Sequence, residues 1–112
     1  MARSVNKLIL VGHVGADPDV RSTGDGTKVA NFPLATNHYW RDSNDREHDR
    51  TDWHRLTAWG RMAQFVEDYV HKGDRVYVEG RLQYGSYDRD GVTIPTPDVV
   101  VRELVLLSPP KD

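Results

Sequence analysis

The sequence predicts an all-β protein, a small barrel of strands carrying one short helix. Three observations predict it. Several stretches of the 112 residues alternate apolar and polar side chains at a period of two. Glycine, proline and aspartate punctuate these stretches at short intervals, as turns require. Only residues 62–72 show convincing helical spacing.

Residues 5–14 read as the first strand, rich in β-branched side chains, with Gly12 and Gly15 loosening its end. Asp17-Pro18 and Gly24-Asp25-Gly26 are turn signals. The second closes a hairpin between Val20-Arg21-Ser22 and residues 29–36, where Ala30, Phe32, Leu34 and Thr36 share one face. Pro33 has no N–H for a ladder, so its position must meet an edge or a bulge. Residues 41–52, mixed in charge and nearly devoid of apolar side chains, read as a mobile loop. Residues 53–59 form the third strand. Period two sets Trp53, Arg55, Thr57 and Trp59 on one face and His54, Leu56 and Ala58 on the other.

The helix of residues 62–72 buries a stripe of Met62, Phe65, Val66, Tyr69 and Val70. Lys72 gives it a basic last turn and Gly73 a stop. Residues 74–82 return to strand alternation through Val76, Val78, Gly80 and Leu82. The ends of residues 83–98 extend the flanking strands around a turn at Asp88-Arg89-Asp90-Gly91. Residues 99–107 are the last strand, and Ser108-Pro109-Pro110 ends the fold. Three strands, a helix and two strands are the element order of an OB-fold. That is a five-stranded Greek-key barrel, here with one short helix between strands 3 and 4. Residues 1–112 form a single domain without internal repeats.

At 38 % apolar and 29 % charged residues the chain is a folded, soluble type. Its net charge of −2 runs against the basic balance usual in nucleic-acid binders, so any such role rests on segregation of charge. The acids crowd residues 42–52 and 88–90, while several basic residues sit beside aromatics. With no cysteine, disulfide and thiolate chemistry are excluded. The longest apolar run, Leu8-Ile9-Leu10-Val11, is too short for a signal-peptide core or a membrane span, which points to an intracellular protein.

Each of the three tryptophans is followed within two residues by an arginine: Trp40-Arg41, Trp53-His54-Arg55 and Trp59-Gly60-Arg61. A flat π-face beside a fixed positive charge suits single-stranded nucleic acid. The ring stacks on an unpaired base and the guanidinium holds the neighbouring phosphate. Core packing is the competing use of tryptophan. It would bury Arg55 between Trp53 and Trp59, which is costly. For Trp40 the competing reading is that Tyr39 is the exposed ring instead. Tyr87 lies among turn residues and is exposed on any arrangement. Arg46, Arg50 and Arg89 sit among acids and read as local ion pairs.

Taken in order, these segments resemble the bacterial single-stranded DNA-binding proteins of the replication type. The resemblance is carried by residues 5–12 (VNKLILVG), 17–21 (DPDVR), 29–32 (VANF) and 34–36 (LAT). It continues through Trp53-His54-Arg55, Gly60-Arg61, Ala63 and residues 69–80 (YVHKGDRVYVEG), so it covers nearly the whole chain. It implies sequence-tolerant binding and protection of single-stranded DNA in replication, recombination and repair. The implied stacking residues are Trp40, Trp53, Trp59 and Tyr87. The implied phosphate contacts are Arg3, Lys7, Arg21, Arg41, Arg55, Arg61 and Lys72. It further implies homotetramers with His54 at a subunit contact, a cytoplasmic, nucleoid-associated location, and neither catalysis, cofactor nor metal.

Family members usually continue into a flexible tail whose acidic, aromatic tip recruits repair and replication proteins. This sequence stops at Pro110-Lys111-Asp112, without that tip, as a core fragment or as a member lacking that function. Gln83 and Gly85 stand where the family often has basic residues, which weakens the grip of that arm.

Two other uses of such a barrel stay open on sequence. One is a protein–protein adaptor with aromatics at an interface. The other is a nuclease, with Asp17/Asp19 or Asp88/Asp90 as metal ligands, although turn chemistry explains those acids better. The five histidines show no compact ligand spacing.

Overall fold

The computed structural model describes residues 3–108, so the Pro109-Pro110 ending and the residues after it lie outside the described region. In chain order the elements are β1 (Leu8–Val14), β2 (Asp19–Ser22), β3 (Lys28–Arg41), β4 (Glu47–Trp59), α1 (Arg61–Tyr69), β5 (Arg75–Arg89) and β6 (Val92–Leu106). β1 runs antiparallel to β5, β5 to β6, and β4 to β3, while β6 meets β4 in parallel at Leu56↔Val99 and Thr57↔Val100. β3 returns to β1 at His13↔Ala35 and Val14↔Leu34, which closes a five-stranded barrel. β2 is a sixth, short strand on the free edge of β3 and the first arm of the expected hairpin. Counting it places the helix between β4 and β5.

Closure forces β1 and β3 close together. A Cβ on Gly12 would overlap the Ala35 carbonyl oxygen, so the crossing requires a glycine there. Pro33 fits for a related reason. Its carbonyl accepts the Gly15 N–H at 3.0 Å, so that edge of the residue faces the gap between β2 and β1. In an antiparallel ladder the N of a residue points to the same side as its carbonyl. The missing N–H therefore takes nothing from the β3–β4 ladder.

The barrel interior is filled by the alternating face expected from the sequence: Ala30, Phe32, Leu34, Leu56, Val76 and Val78 are all buried. α1 caps the barrel with Ala63 and Val66 buried, Val70 buried just past its end, and Met62 and Phe65 packed against them. Tyr69, expected in that stripe, is 56 % exposed. The helix also stops three residues before Lys72, with Val70 already extended, so there is no basic last turn. Gly73 serves the following turn instead, at φ +92° and with its N–H on the Val14 carbonyl.

Residues 41–52 are not a loop. β3 and β4 pair without interruption from Val29↔Trp59 to Arg41↔Glu47, joined by a short turn. That turn is built on Asp42, whose Oδ1 accepts the N–H groups of Asn44 and Arg46 at 2.9 and 3.0 Å. Asp45 takes the left-handed conformation. Two strand pairs thus project from the barrel as arms, β3–β4 and β5–β6. The second turns at Asp90-Gly91, within the expected segment.

Candidate nucleic-acid interface

The pairing of β3 with β4 lays out one outward face as a grid. Trp53 stands opposite Ala35, Arg55 opposite Pro33, Thr57 opposite Asn31, and Trp59 opposite Val29. Strand alternation turns all eight side chains away from the core. Trp53 is 62 % exposed and Trp59 48 %, so the rings present open faces. They stand six residues apart, roughly 20 Å at about 3.3 Å per residue. Trp53 also lies over Gly15, where a Cβ would overlap its six-membered ring. Gly15 therefore gives the indole its seat.

Arg55 is exposed and lies between the two rings. One shallow groove runs past Trp53, Pro33, Asn31 and Arg55, and a second past Trp59, Val29, Arg21 and Arg55. A third joins Arg55 to Gln83, Gly85, Thr96 and Asp98 at the root of the β5–β6 arm. Tyr87 pairs with Ile94 and shares parity with Gln83 and Gly85, so the same face continues up that arm to its ring, 47 % exposed. Tyr84, 67 % exposed, lies on the opposite face with Pro97, and no sequence signal singles it out.

The floor between the rings is polar. Thr57, expected on the open face, is buried beneath its neighbours. Its Oγ1 lies 2.6 Å from Asp98 Oδ2 and 2.8 Å from Asn31 Oδ1. Asp98 Oδ1 is buried and has no hydrogen-bond partner among the described residues. Arg55 Nε is 3.9 Å away, beyond hydrogen-bond reach. The Arg55 guanidinium is thus held near a carboxylate without being bonded to it.

Trp40 does not share this face. Its partner is His48, and both belong to the opposite parity of the arm. The ring is sandwiched between His38, at 5.1 Å between centroids, and His48, at 5.2 Å, with interplanar angles of 23° and 18°. His48 is held in turn by Asp42 at 2.8 Å. That hydrogen bond, then the Arg46 N–H, keeps the Asp42 carboxyl below its ordinary value. His38 and Trp40 do stand two residues apart in sequence, the one available signal, whereas His48 falls in the segment 41–52 that reads as a loop. Tyr39, the alternative ring, is more exposed than Trp40, at 58 % against 38 %.

The basic residues divide similarly. Arg21 borders the Trp59 groove and pairs with Asp19 at 2.9 Å. Arg41 is tied to Asp45 and Glu47 at 3.1 and 2.9 Å. Lys7 lines a separate groove with Asn6, Arg81 and Arg102, 3.9 Å from Glu79. Arg61 opens α1, Lys72 follows it, and both are exposed, as is Arg3. Arg50 pairs with Asp52 as expected, while Arg46 and Arg89 have no ion-pair partner among the described residues. His54, half-buried on the inward parity, bonds to Thr36 at 2.8 Å.

Three of the four paired acids are engaged within the fold, and Asp90 takes the left-handed conformation in the arm's turn. Asp17 accepts the Lys72 N–H, Asp19 holds Arg21, and Asp88 accepts the Thr93 hydroxyl. Among the described residues no group of three or more histidines and acids could hold a metal ion. No helix there is long and apolar enough to cross a membrane.

Comparison with known proteins gives a consistent result. Residues 5–107 match the model of the single-strand binding protein family. The chain is 49 % identical over 88 residues to single-stranded DNA-binding protein 1 of Chlorobaculum tepidum, covering 79 % of this chain and 54 % of that protein. It is 40 % identical over 105 residues to the single-stranded DNA-binding protein of Neisseria meningitidis serogroup B, covering 93 % and 60 %. The chain therefore spans little more than half the length of these curated relatives. Among solved structures it resembles the Plasmodium falciparum SSB in complex with ssDNA, with a TM-score of 0.90 at 33 % identity, covering 96 % of this chain and 99 % of that one. The Thermus aquaticus single-stranded DNA binding protein, as a deletion mutant, gives 0.83 at 31 % identity, covering 96 % and 53 %.

Proposed function

Since the chain belongs to the single-strand binding protein family, we propose that it binds single-stranded DNA without catalysis and with little regard to sequence. The observation that carries this reading is the pair of open indole faces, Trp53 and Trp59, with the unbonded Arg55 guanidinium between them. Bases leave their own stack and settle on these rings, each contact contributing about 1–3 kcal/mol. Tyr87 extends the track up the β5–β6 arm. Arg55 and Arg21 follow the phosphates and release counterions. Trp40, Arg3, Lys7, Arg41, Arg61 and Lys72 serve as outlying contacts along the path of the strand. Duplex DNA offers no free base faces and binds poorly.

The biological role is protection of exposed strands in replication, recombination and repair, in the cytoplasm on the nucleoid. Assembly into homotetramers, with His54 near a subunit contact, is part of the same reading. Ile9, Val11 and Val105 support it, because they leave an apolar patch open on the outer face of β1, β5 and β6.

A titration of tryptophan fluorescence with oligo-dT at several salt concentrations, alongside light scattering for mass, tests the proposal. Deep quenching that weakens steeply with salt is expected. No quenching at low salt would leave the adaptor reading in its place.

A further inference from the structure

We propose that Asn31 reads the edge of a base lodged between Trp53 and Trp59, and that Thr57 and Asp98 decide which end of its carboxamide does the reading. The inference rests on the DNA-binding reading above and adds a base preference to it.

The Thr57 hydroxyl faces two acceptor oxygens, Asn31 Oδ1 at 2.8 Å and Asp98 Oδ2 at 2.6 Å. A hydroxyl carries one proton. It goes to Asp98, the shorter contact and the charge-assisted one. The lone pairs of Thr57 and an Asn31 carbonyl would then oppose each other. Exchanging the amide N and O of Asn31, which occupy nearly the same volume, removes the conflict, since amide orientation follows from the hydrogen-bond network. Donation then runs one way, from the Asn31 N–H to the Thr57 hydroxyl to the Asp98 carboxylate. An aspartate can only accept, so it fixes the direction of the whole chain.

The consequence lies at the surface. Asn31 borders both the Trp53 groove and the Trp59 groove, and with its NH2 engaged inward its carbonyl is left toward them. A carbonyl there favours base edges that carry an amine. At the 4-position cytosine offers N4–H2 where thymine offers the O4 acceptor, and this is the end of the base the carbonyl meets; the one donor of thymine, N3–H, lies further along the edge. The surface therefore tilts from thymine toward cytosine at this one place. Asp98 and Thr57 are positioning residues, and Asn31 alone meets the base.

Asp98→Asn, which keeps the shape, reverses the chain. The new amide keeps its oxygen on the side of the Arg55 guanidinium and so turns its NH2 to Thr57. Thr57 then donates to the Asn31 carbonyl, and the Asn31 NH2 swings to the groove, where it suits thymine O4. The experiment measures Kd for oligo-dC and oligo-dT of equal length by fluorescence anisotropy. It uses the wild-type chain, Asp98→Asn, Asn31→Ala and the double variant. Loss of the Asp98 charge raises both affinities together, so the ratio of the two is the readout. Asp98→Asn should shift the ratio toward dT by about three- to tenfold, the worth of one net hydrogen bond. It should shift nothing in the Asn31→Ala background. An unmoved ratio, or an equal shift in both backgrounds, would overturn the inference while strand binding stood. Absence of binding to either strand by the wild-type chain would overturn the DNA-binding reading and this inference with it.

Discussion

A single indole shows how little of a site lies in the identity of a residue and how much in its parity. Trp53 and Trp59 share an odd-numbered face with Arg55, and their rings are open. Trp40, with the same Trp–Arg signature, faces the other way and is covered on both sides by histidine. Trp53→Ala and Trp59→Ala should each weaken oligo-dT binding by about 1–3 kcal/mol. Neither should move the stability of the fold by more than about 0.5 kcal/mol, as suits exposed side chains. Trp40→Ala should cost clearly less affinity, because a base must first displace His38 or His48. Equal losses for all three in an anisotropy titration would contradict the two-face arrangement. Arg55→Ala should lower the slope of log K against log salt by about one. Arg41→Ala should lower it by less, since Asp45 and Glu47 already hold that guanidinium and it is an outlying contact. The odd-face stripe was legible from period two alone. The Asn31–Thr57–Asp98 floor was not, because its members stand 26 and 41 residues apart and meet only through register.

Among the elements, the β3–β4 arm separates what a sequence displays from what it hides. Strand signals come from one buried face, and the part of this arm beyond the barrel has both faces wet. Residues 41–52 therefore carry no apolar alternation, although they continue the ladder. What holds them is backbone pairing and the Asp42 turn, which charge pattern alone does not announce. The helix end is obscured by a glycine that serves another turn. Gly73 marks a left-handed turn, but that turn belongs to the approach to β5 rather than to α1.

The β2–β3 turn offers a test by pH. Asp25 is lowered from 3.8 to about 2, first by the Thr23 hydroxyl and then by the Thr27 N–H. A carboxyl depressed in this way stabilises the folded turn at every pH above its ordinary value. That contribution fades as pH falls through 3.8 and is gone below about 2. NMR titration of the Asp25 carboxyl should find its midpoint near 2. Thr23→Val should move the midpoint upward. A wild-type midpoint at the ordinary value would contradict the turn as drawn.

The whole molecule reconciles a net charge of −2 with a polyanionic ligand by engaging most of its acids in turns and ion pairs, with Asp98 half-buried in the floor of the site and Asp19 paired at its border. Asp17, Asp19, Asp42, Asp45, Glu47, Asp52 and Asp88 are each engaged within the fold, in turns, ion pairs or a cross-strand bond. Barrel closure through Gly12 brings the linker after β1 beneath Trp53, so the fold itself seats the reading surface. The order of segments revealed this barrel early, because each core strand alternates and only one segment has helical spacing. The three tryptophans allow the open indole faces to be tested in one spectrum, since each contributes one indole N–H signal. A ¹H–¹⁵N titration with oligo-dT should move the Trp53 and Trp59 indole signals together and early, and the Trp40 signal less. Binding that leaves the Trp53 and Trp59 signals in place would mean that bases do not stack on these rings.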